Sequence, residues 1–181
     1  MPLVQLSNPV LVALDIAAWA VIHSASGYVV HRLPVRRLQR DGWLFAPRRF
    51  ERDGHFYSQV LRIRRWKDRL PEAGALFAGG ISKRQLPDAS AGGLPRFAVE
   101  TRRAELGHWL AIAPAPLFAL WNPVAIAVVM VVYAVAVNAP FIAIQRYNRI
   151  RVGRVGRLSA SRSRSPARRR NERGTSGTSI P

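Results

Sequence analysis

The sequence has no cysteine. That excludes disulfides, thiolate nucleophiles and thiolate metal sites. Acids are scarce: 10 Asp plus Glu stand against 28 Lys plus Arg, a net charge of +18. Lysine itself occurs only at Lys67 and Lys83, so nearly all the positive charge is guanidinium, which does not deprotonate in proteins. No Lys or Arg precedes Arg32, and Lys, Arg, Asp and Glu are all missing from Leu106 to Ile144. Familiar site motifs are missing too. There is no His-x4-Asp box, Gly-x-Ser-x-Gly elbow, Walker A loop or His-Glu-x-x-His pattern, which removes the commonest hydrolase, nucleotide-binding and zinc-protease readings. His31 and His55 read as loop residues, Gly79-Gly80 and Gly92-Gly93 as turns, and no metal site is expected.

What remains is a pattern of apolar blocks between basic ones. Pro9 to Val30 is apolar except for Asp15, His23 and a few small polar residues, and it is long enough to cross a bilayer. No basic residue precedes it and no clean small-x-small site follows, so it reads as a retained helix with its N-terminus outside. Asp15 is costly in lipid and should face protein or water. The uncharged stretch Leu106–Ile144 is about twice what one crossing needs. Trp121-Asn122-Pro123 in its middle is a turn signal, so it predicts a helical hairpin. All basic residues fall in 32–103 and 146–181. The positive-inside rule and attraction to anionic lipid place both segments on the cytoplasmic face.

The expected fold is an all-α membrane protein. Residues 1–31 form an N-terminal transmembrane helix, 32–94 a basic cytoplasmic segment, 95–151 a transmembrane hairpin, and 152–181 a disordered tail rich in Ser and Arg. Within the second part, Phe56, Val60, Ile63 and Lys67 recur at helical spacing through Ser58–Leu70, bordered by arginines. This predicts an interfacial amphipathic helix anchored by Trp66, although a helix packed on a soluble core has the same pattern. Residues 72–95 should loop. Pro95 suits the first turn of the next helix, and Pro114 and Pro116 should kink or break it.

Polar motifs stand at both ends of the hairpin. Glu105 and His108 are helical neighbours, with Thr101 one turn earlier. Folding about residues 121–122 sets position 105 level with Asn138 and position 108 level with about 135. Asn138, Gln145 and Arg149 then share a face close to Glu105. A carboxylate beside an imidazole raises its basicity, as a general base acting on a hydroxyl requires. Asn138 and Gln145 can donate to an oxyanion. The candidate catalytic residues are therefore His108, Glu105, Asn138 and Gln145. Arg103, Arg146, Tyr147, Asn148, Arg149 and Trp109 are candidates for substrate binding. A purely structural role also fits: Glu105, Arg102 and Arg103 as ion pairs at a helix end, and His108 bonded to a carbonyl.

These residues carry a resemblance. Arg32-Leu-Pro34, Phe50-Glu51 with Gly54-His-Phe-Tyr57, Arg64-Arg-Trp66-Lys67, Glu100-Thr-Arg-Arg-Ala-Glu105-Leu with His108-Trp109, Asn138 with Pro140, and Gln145-Arg-Tyr-Asn-Arg149 with Arg151 occur in that order. The chain thereby resembles the glycosyl-4,4'-diaponeurosporenoate acyltransferase family of staphyloxanthin-type carotenoid biosynthesis. The resemblance implies fatty acyl transfer to a sugar hydroxyl of a glycosylated carotenoid or related glycolipid at the cell membrane. It implies an activated donor such as acyl-CoA as co-substrate and no bound cofactor. Partners are then membrane lipids and the glycosylated isoprenoid or glycolipid. A lipid methyltransferase or reductase and a non-enzymatic scaffold on anionic lipid stay open as alternatives. The tract Ser161–Arg170 is basic enough to hold phosphate nonspecifically, but no stacking platform or reading helix accompanies it, so no specific nucleic-acid partner is expected. Nothing in the sequence fixes an oligomeric state.

Overall fold

A computed structural model of the chain describes residues 7–70 and 93–163. All regular structure among them is helical. Helix α1 spans Asn8–Arg32, the single turn α2 spans Val35–Leu38, α3 spans Gly93–Ile112, and α4 spans Val124–Ser163. At 1.5 Å per residue these lengths give about 37 Å for α1, 30 Å for α3 and 60 Å for α4. Among the described residues, α1 and α4 are long and apolar enough to cross a membrane. The polar N-terminal half of α3, with Arg96, Glu100, Arg102, Arg103 and Glu105, keeps it from that class.

The expected hairpin is present as α3 packed along α4. Helix α3 stops at Ile112, ahead of Pro114 and Pro116, and a tight 3-10 segment follows over Ala115–Leu120. Pro140 lies inside α4. It has no N–H to give the Ala136 carbonyl one turn back, which is the usual local weakness at a helix proline.

Helix α1 runs antiparallel to α3. Its Asp15 sits at the hairpin turn, where Oδ1 accepts from Trp121 Nε1 and Asn122 Nδ2, each at 2.8 Å. The carboxylate is thus turned into protein, as its cost in lipid demands. One turn further on, the Trp19 ring meets Phe118 at 4.8 Å, Tyr133 at 5.5 Å and His23 at 5.7 Å between centroids. At the other end of α1, Arg103 of α3 donates to the carbonyls of Val30, His31 and Leu33, which a helix C-terminus leaves without partners.

Residues 33–70 fold into a cap over the open end of the hairpin. The expected amphipathic helix over Ser58–Leu70 is not formed. A π-turn at Phe56–Val60 is followed by 3-10 turns at Ile63–Arg65 and Lys67–Arg69. Arg62 between them is left-handed at φ 46°, which no α-helix accommodates. The break turns Ile63 into a core with Tyr57, Ile144 and Tyr147, while Val60 is left exposed. Trp66 packs on that core and gives its indole N–H to the Leu61 carbonyl at 2.8 Å. A second core joins Leu38 and Phe45 of the cap to Val99 of α3. Gly54 makes the close approach to α4 possible. Its φ is +91°, and a Cβ there would stand 3.3 Å from Ile150 Cγ2.

One other boundary differs from expectation. Helix α4 continues through 152–163, so the helix consumes the start of the Ser/Arg segment that composition assigned to a disordered tail. Residues 164–181 and most of the expected loop over 72–95 lie outside the described residues.

Candidate active site

Where the cap meets the hairpin, Arg146 organises a buried polar cluster. Its Nε donates to Glu51 Oε1 at 2.7 Å and its Nη2 to Glu51 Oε2 at 3.1 Å. Its Nη1 donates to Glu105 Oε1 at 2.9 Å and to the Leu44 carbonyl at 3.0 Å. Nη2 also reaches the Ala46 carbonyl at 3.0 Å. A guanidinium has five N–H donors, so Arg146 has none left. Glu51 and Glu105 are fully enclosed, and each is paired as buried charge requires.

Glu51 shows how the cap is tuned. Burial pushes its carboxyl up. The hydrogen bonds from Arg146, from Tyr57 Oη at 2.5 Å and from the Arg48 amide outweigh burial and hold it below the ordinary carboxylate value. The Tyr57 hydroxyl is driven the other way, first by burial and then by the adjacent Glu51 carboxylate, and stays neutral. Neither Glu51 nor Tyr57 was singled out by spacing. The signal available was chemical: Glu51 is one of few acids in a basic segment, and a buried cluster of arginines needs such acids.

Arg149, one turn beyond Arg146, reaches Glu105 Oε2 at 2.7 Å and the Phe45 carbonyl at 3.0 Å through Nη2, with its guanidinium over the Phe45 ring. The indole N–H of Trp109 approaches Glu105 Oε1 at 3.4 Å. The carboxylate of Glu105 is therefore taken up by Arg146, Arg149 and the Trp109 indole. Arg102 is held by Asp41 at 2.6 Å. Tyr147 accepts from Arg64 Nε at 2.9 Å and packs in the cap core, and Asn148 is buried.

His108 lies further up the hairpin and faces Asn138 across the two arms. Its Nδ1 is 2.9 Å from Asn138 Oδ1, and its ring stacks on Phe141 at 4.9 Å. Asn138 gives Nδ2 to the Ala134 carbonyl at 2.9 Å. That bond fixes the amide with its oxygen toward the imidazole. Oxygen only accepts, so Nδ1 carries a proton, and in the neutral ring Nε2 is the basic nitrogen. The register differs by a few residues from simple folding about 121–122: position 108, not 105, is level with Asn138, because the 3-10 segment lengthens the turn. Arg103, expected at the substrate, instead closes the end of α1. Among the described residues no three His, Asp or Glu side chains gather to hold a metal.

The class defined by these features is a small helical protein with two membrane-length helices and a buried carboxylate–arginine core below a histidine–asparagine pair. Comparison places it more closely. The glycosyl-4,4'-diaponeurosporenoate acyltransferase family matches residues 41–157, which contain Glu51, Glu105, His108, Asn138, Arg146 and Arg149, and the chain belongs to that family. Proteins named glycosyl-4,4'-diaponeurosporenoate acyltransferase from Staphylococcus aureus strains bovine RF122 / ET3-1, MRSA252 and USA300 are each 27% identical over 140 residues, covering 77% of this chain and 84% of theirs. Family membership makes the chain an acyltransferase. No solved structure matches it.

Proposed function

We propose that this protein transfers a fatty acyl group from an activated donor to a sugar hydroxyl of a glycosylated carotenoid or related glycolipid, at the inner face of a membrane. The observation that carries the chemistry is the His108–Asn138 pair, oriented so that Nδ1 is the donor and Nε2 the basic nitrogen of the neutral ring. The relatives' printed name supplies the substrate class.

Helices α1 and α4 cross the bilayer, and the cap and its arginines lie on the cytoplasmic side. Asn138 stands about 21 Å along α4 from its first residue and Arg146 about 33 Å. The hydrocarbon core is about 30 Å thick. His108 then sits inside the boundary and the carboxylate–arginine cluster at it, where a lipid-borne sugar would enter sideways.

In the reaction, His108 Nε2 takes the proton of the acceptor hydroxyl as its oxygen attacks the acyl carbonyl. The tetrahedral intermediate collapses with loss of the donor's thiol, to which His108 returns the proton. Asn138 acts by holding the imidazole through Oδ1, with one of its two N–H donors bonded to the Ala134 carbonyl. All donors of Arg146 are engaged within the protein, so the phosphates of an acyl-CoA donor fall to exposed arginines such as Arg36, Arg37, Arg40 and Arg49.

The test is His108→Ala, assayed in membranes supplied with labelled acyl-CoA and the glycosylated acceptor. Loss of general base catalysis should lower the rate about a hundredfold or more. An unchanged rate at equal protein level would remove the base role.

A further inference from the structure

Two buried side-chain atoms among the described residues have no partner, Gln145 Oε1 and Arg149 Nη1, and beside them Glu105 Oε2 has only its ion pair with Arg149. They are not scattered. Gln145 and Arg149 are four apart on α4 and so share a face, and Arg149 touches Glu105 Oε2 through Nη2 at 2.7 Å. The three residues are 6%, 9% and 0% exposed respectively. Buried polar atoms are nearly always satisfied. Two exceptions on one helix face, next to a carboxylate oxygen with room for a second bond, mark a place where something outside the chain supplies the partners.

Their chemistry selects that partner. One atom is a donor on a cation and two are acceptors. A phosphate brings acceptor oxygens, so it would satisfy Arg149 but meet the Glu105 carboxylate and the Gln145 carbonyl oxygen unfavourably. A hydroxyl both accepts and donates. Two adjacent hydroxyls satisfy both lone atoms and add to the third: one oxygen accepts from Arg149 Nη1, one hydrogen goes to Gln145 Oε1, and the other gives Glu105 Oε2 a second bond. We infer that Glu105, Gln145 and Arg149 form a subsite that recognises sugar hydroxyls of the acceptor, and that Arg149 is not a phosphate ligand. The inference rests on the acyl-acceptor reading above and deepens it. Gln145 lies about 10 Å along α4 from Asn138, a span that one sugar ring covers with a hydrogen bond at each edge. A sugar held at this subsite presents another hydroxyl toward His108. Gln145 and Arg149 then position the acceptor and take no part in proton transfer.

The test is a binding measurement on the purified full chain in lipid nanodiscs, without turnover. The probes are a long-chain alkyl glucoside and the alkyl phosphate of equal chain length. The native protein should bind the glucoside in preference. Gln145→Leu deletes the acceptor and should weaken glucoside binding about five- to tenfold, the effect of one neutral hydrogen bond, with binding of the alkyl phosphate unmoved. Gln145→Asn, which withdraws the same oxygen, should act in the same direction. Unfolding midpoints of both variants are read alongside, and Gln145→Asn, which keeps the amide, separates lost recognition from lost folding. Glucoside affinity unchanged from native in Gln145→Leu and Gln145→Asn overturns the proposal. So does preference for the phosphate, or absence of glucoside binding by the native chain, which would leave only water at these atoms. If glucoside recognition holds but no acyl group is transferred, the subsite stands and the reaction assigned above falls.

Discussion

Arg146→Lys preserves charge and removes geometry, which makes it the sharpest probe of the buried cluster. Arg146 makes five hydrogen bonds, three to carboxylate oxygens of Glu51 and Glu105 and two to the Leu44 and Ala46 carbonyls. An ammonium has three N–H bonds radiating from one point, where the guanidinium fork reaches in five fixed directions. At least two acceptors lose their donor. A hydrogen bond involving a charged group contributes about 1.5–3 kcal/mol. The side chain is 10% exposed and Glu51 is 1% exposed, so solvent screening discounts little. The retained positive charge still compensates the carboxylates, which favours the lower end. The expected loss is about 3 kcal/mol. Chemical unfolding of the detergent-solubilised protein, followed by tryptophan fluorescence, reads it directly. Because the lost bonds tie the cap to α4, limited proteolysis should also cut sooner within residues 43–57 than in native protein. A variant within about 0.5 kcal/mol of native stability, with the same cleavage pattern, would show that the five bonds do not hold the cap.

Glu51 carries a pH signature. Its folded carboxyl lies below the ordinary value near 4.5, so the stability it contributes is fully present above that value and drains away as pH falls through the lower folded one. Glu51→Gln should flatten the acid limb of the unfolding free energy below about pH 5. An equally steep limb in the variant would move the effect to another acid. At the other end of the bundle, Asp15→Leu strands the Trp121 and Asn122 donors in apolar surroundings and should cost about 2 kcal/mol. Asp15→Asn keeps an acceptor and should cost under half of that. The same unfolding measurement compares them, and equal stability of the two variants would deny the carboxylate its bonding role.

The parts of the fold that were legible in the sequence are those set by one-dimensional physics. An apolar run without charge fixes a long helix, and this gave α1 and α4. Prolines at 114 and 116 cannot donate, and this ended α3. Asp15 in an apolar helix had to find donors, and it found Trp121 and Asn122. The cap was not legible. Phe56, Val60, Ile63 and Lys67 do have helical spacing, but the Tyr57 and Tyr147 core rewards a left-handed Arg62 that puts Ile63 inside, and no local periodicity encodes a contact between residues so far apart in the chain. The site was half legible for a related reason. Spacing brought Glu105, His108, Asn138, Gln145 and Arg149 to one end of the hairpin. It could not see that Glu51, from the cap, would bind Arg146 and leave Asn138 to orient His108.

Four charges meet at the base of the hairpin and they cancel, Glu51 and Glu105 against Arg146 and Arg149. Burying such a network gives little net stability, since the desolvation of each ion offsets most of its attraction to the others, and well-packed apolar side chains would hold the helices as firmly. What apolar side chains would not supply is register. Between Val124 and Ile144 helix α4 is mostly Ala, Val and Ile, a smooth surface on which α3 can slide or turn at small cost. Arg146 removes that freedom, because its five acceptors come from the cap and from α3 and point in different directions. A shift of one residue would move α4 by about 1.5 Å and rotate it by roughly 100°, leaving charged groups unpaired in apolar surroundings. The same shift would part His108 from Asn138, whose 2.9 Å contact crosses the same two helices. The cluster and the imidazole therefore belong to one device, in which a costly ionic lock sets the helix register and that register fixes which nitrogen of His108 can accept a proton.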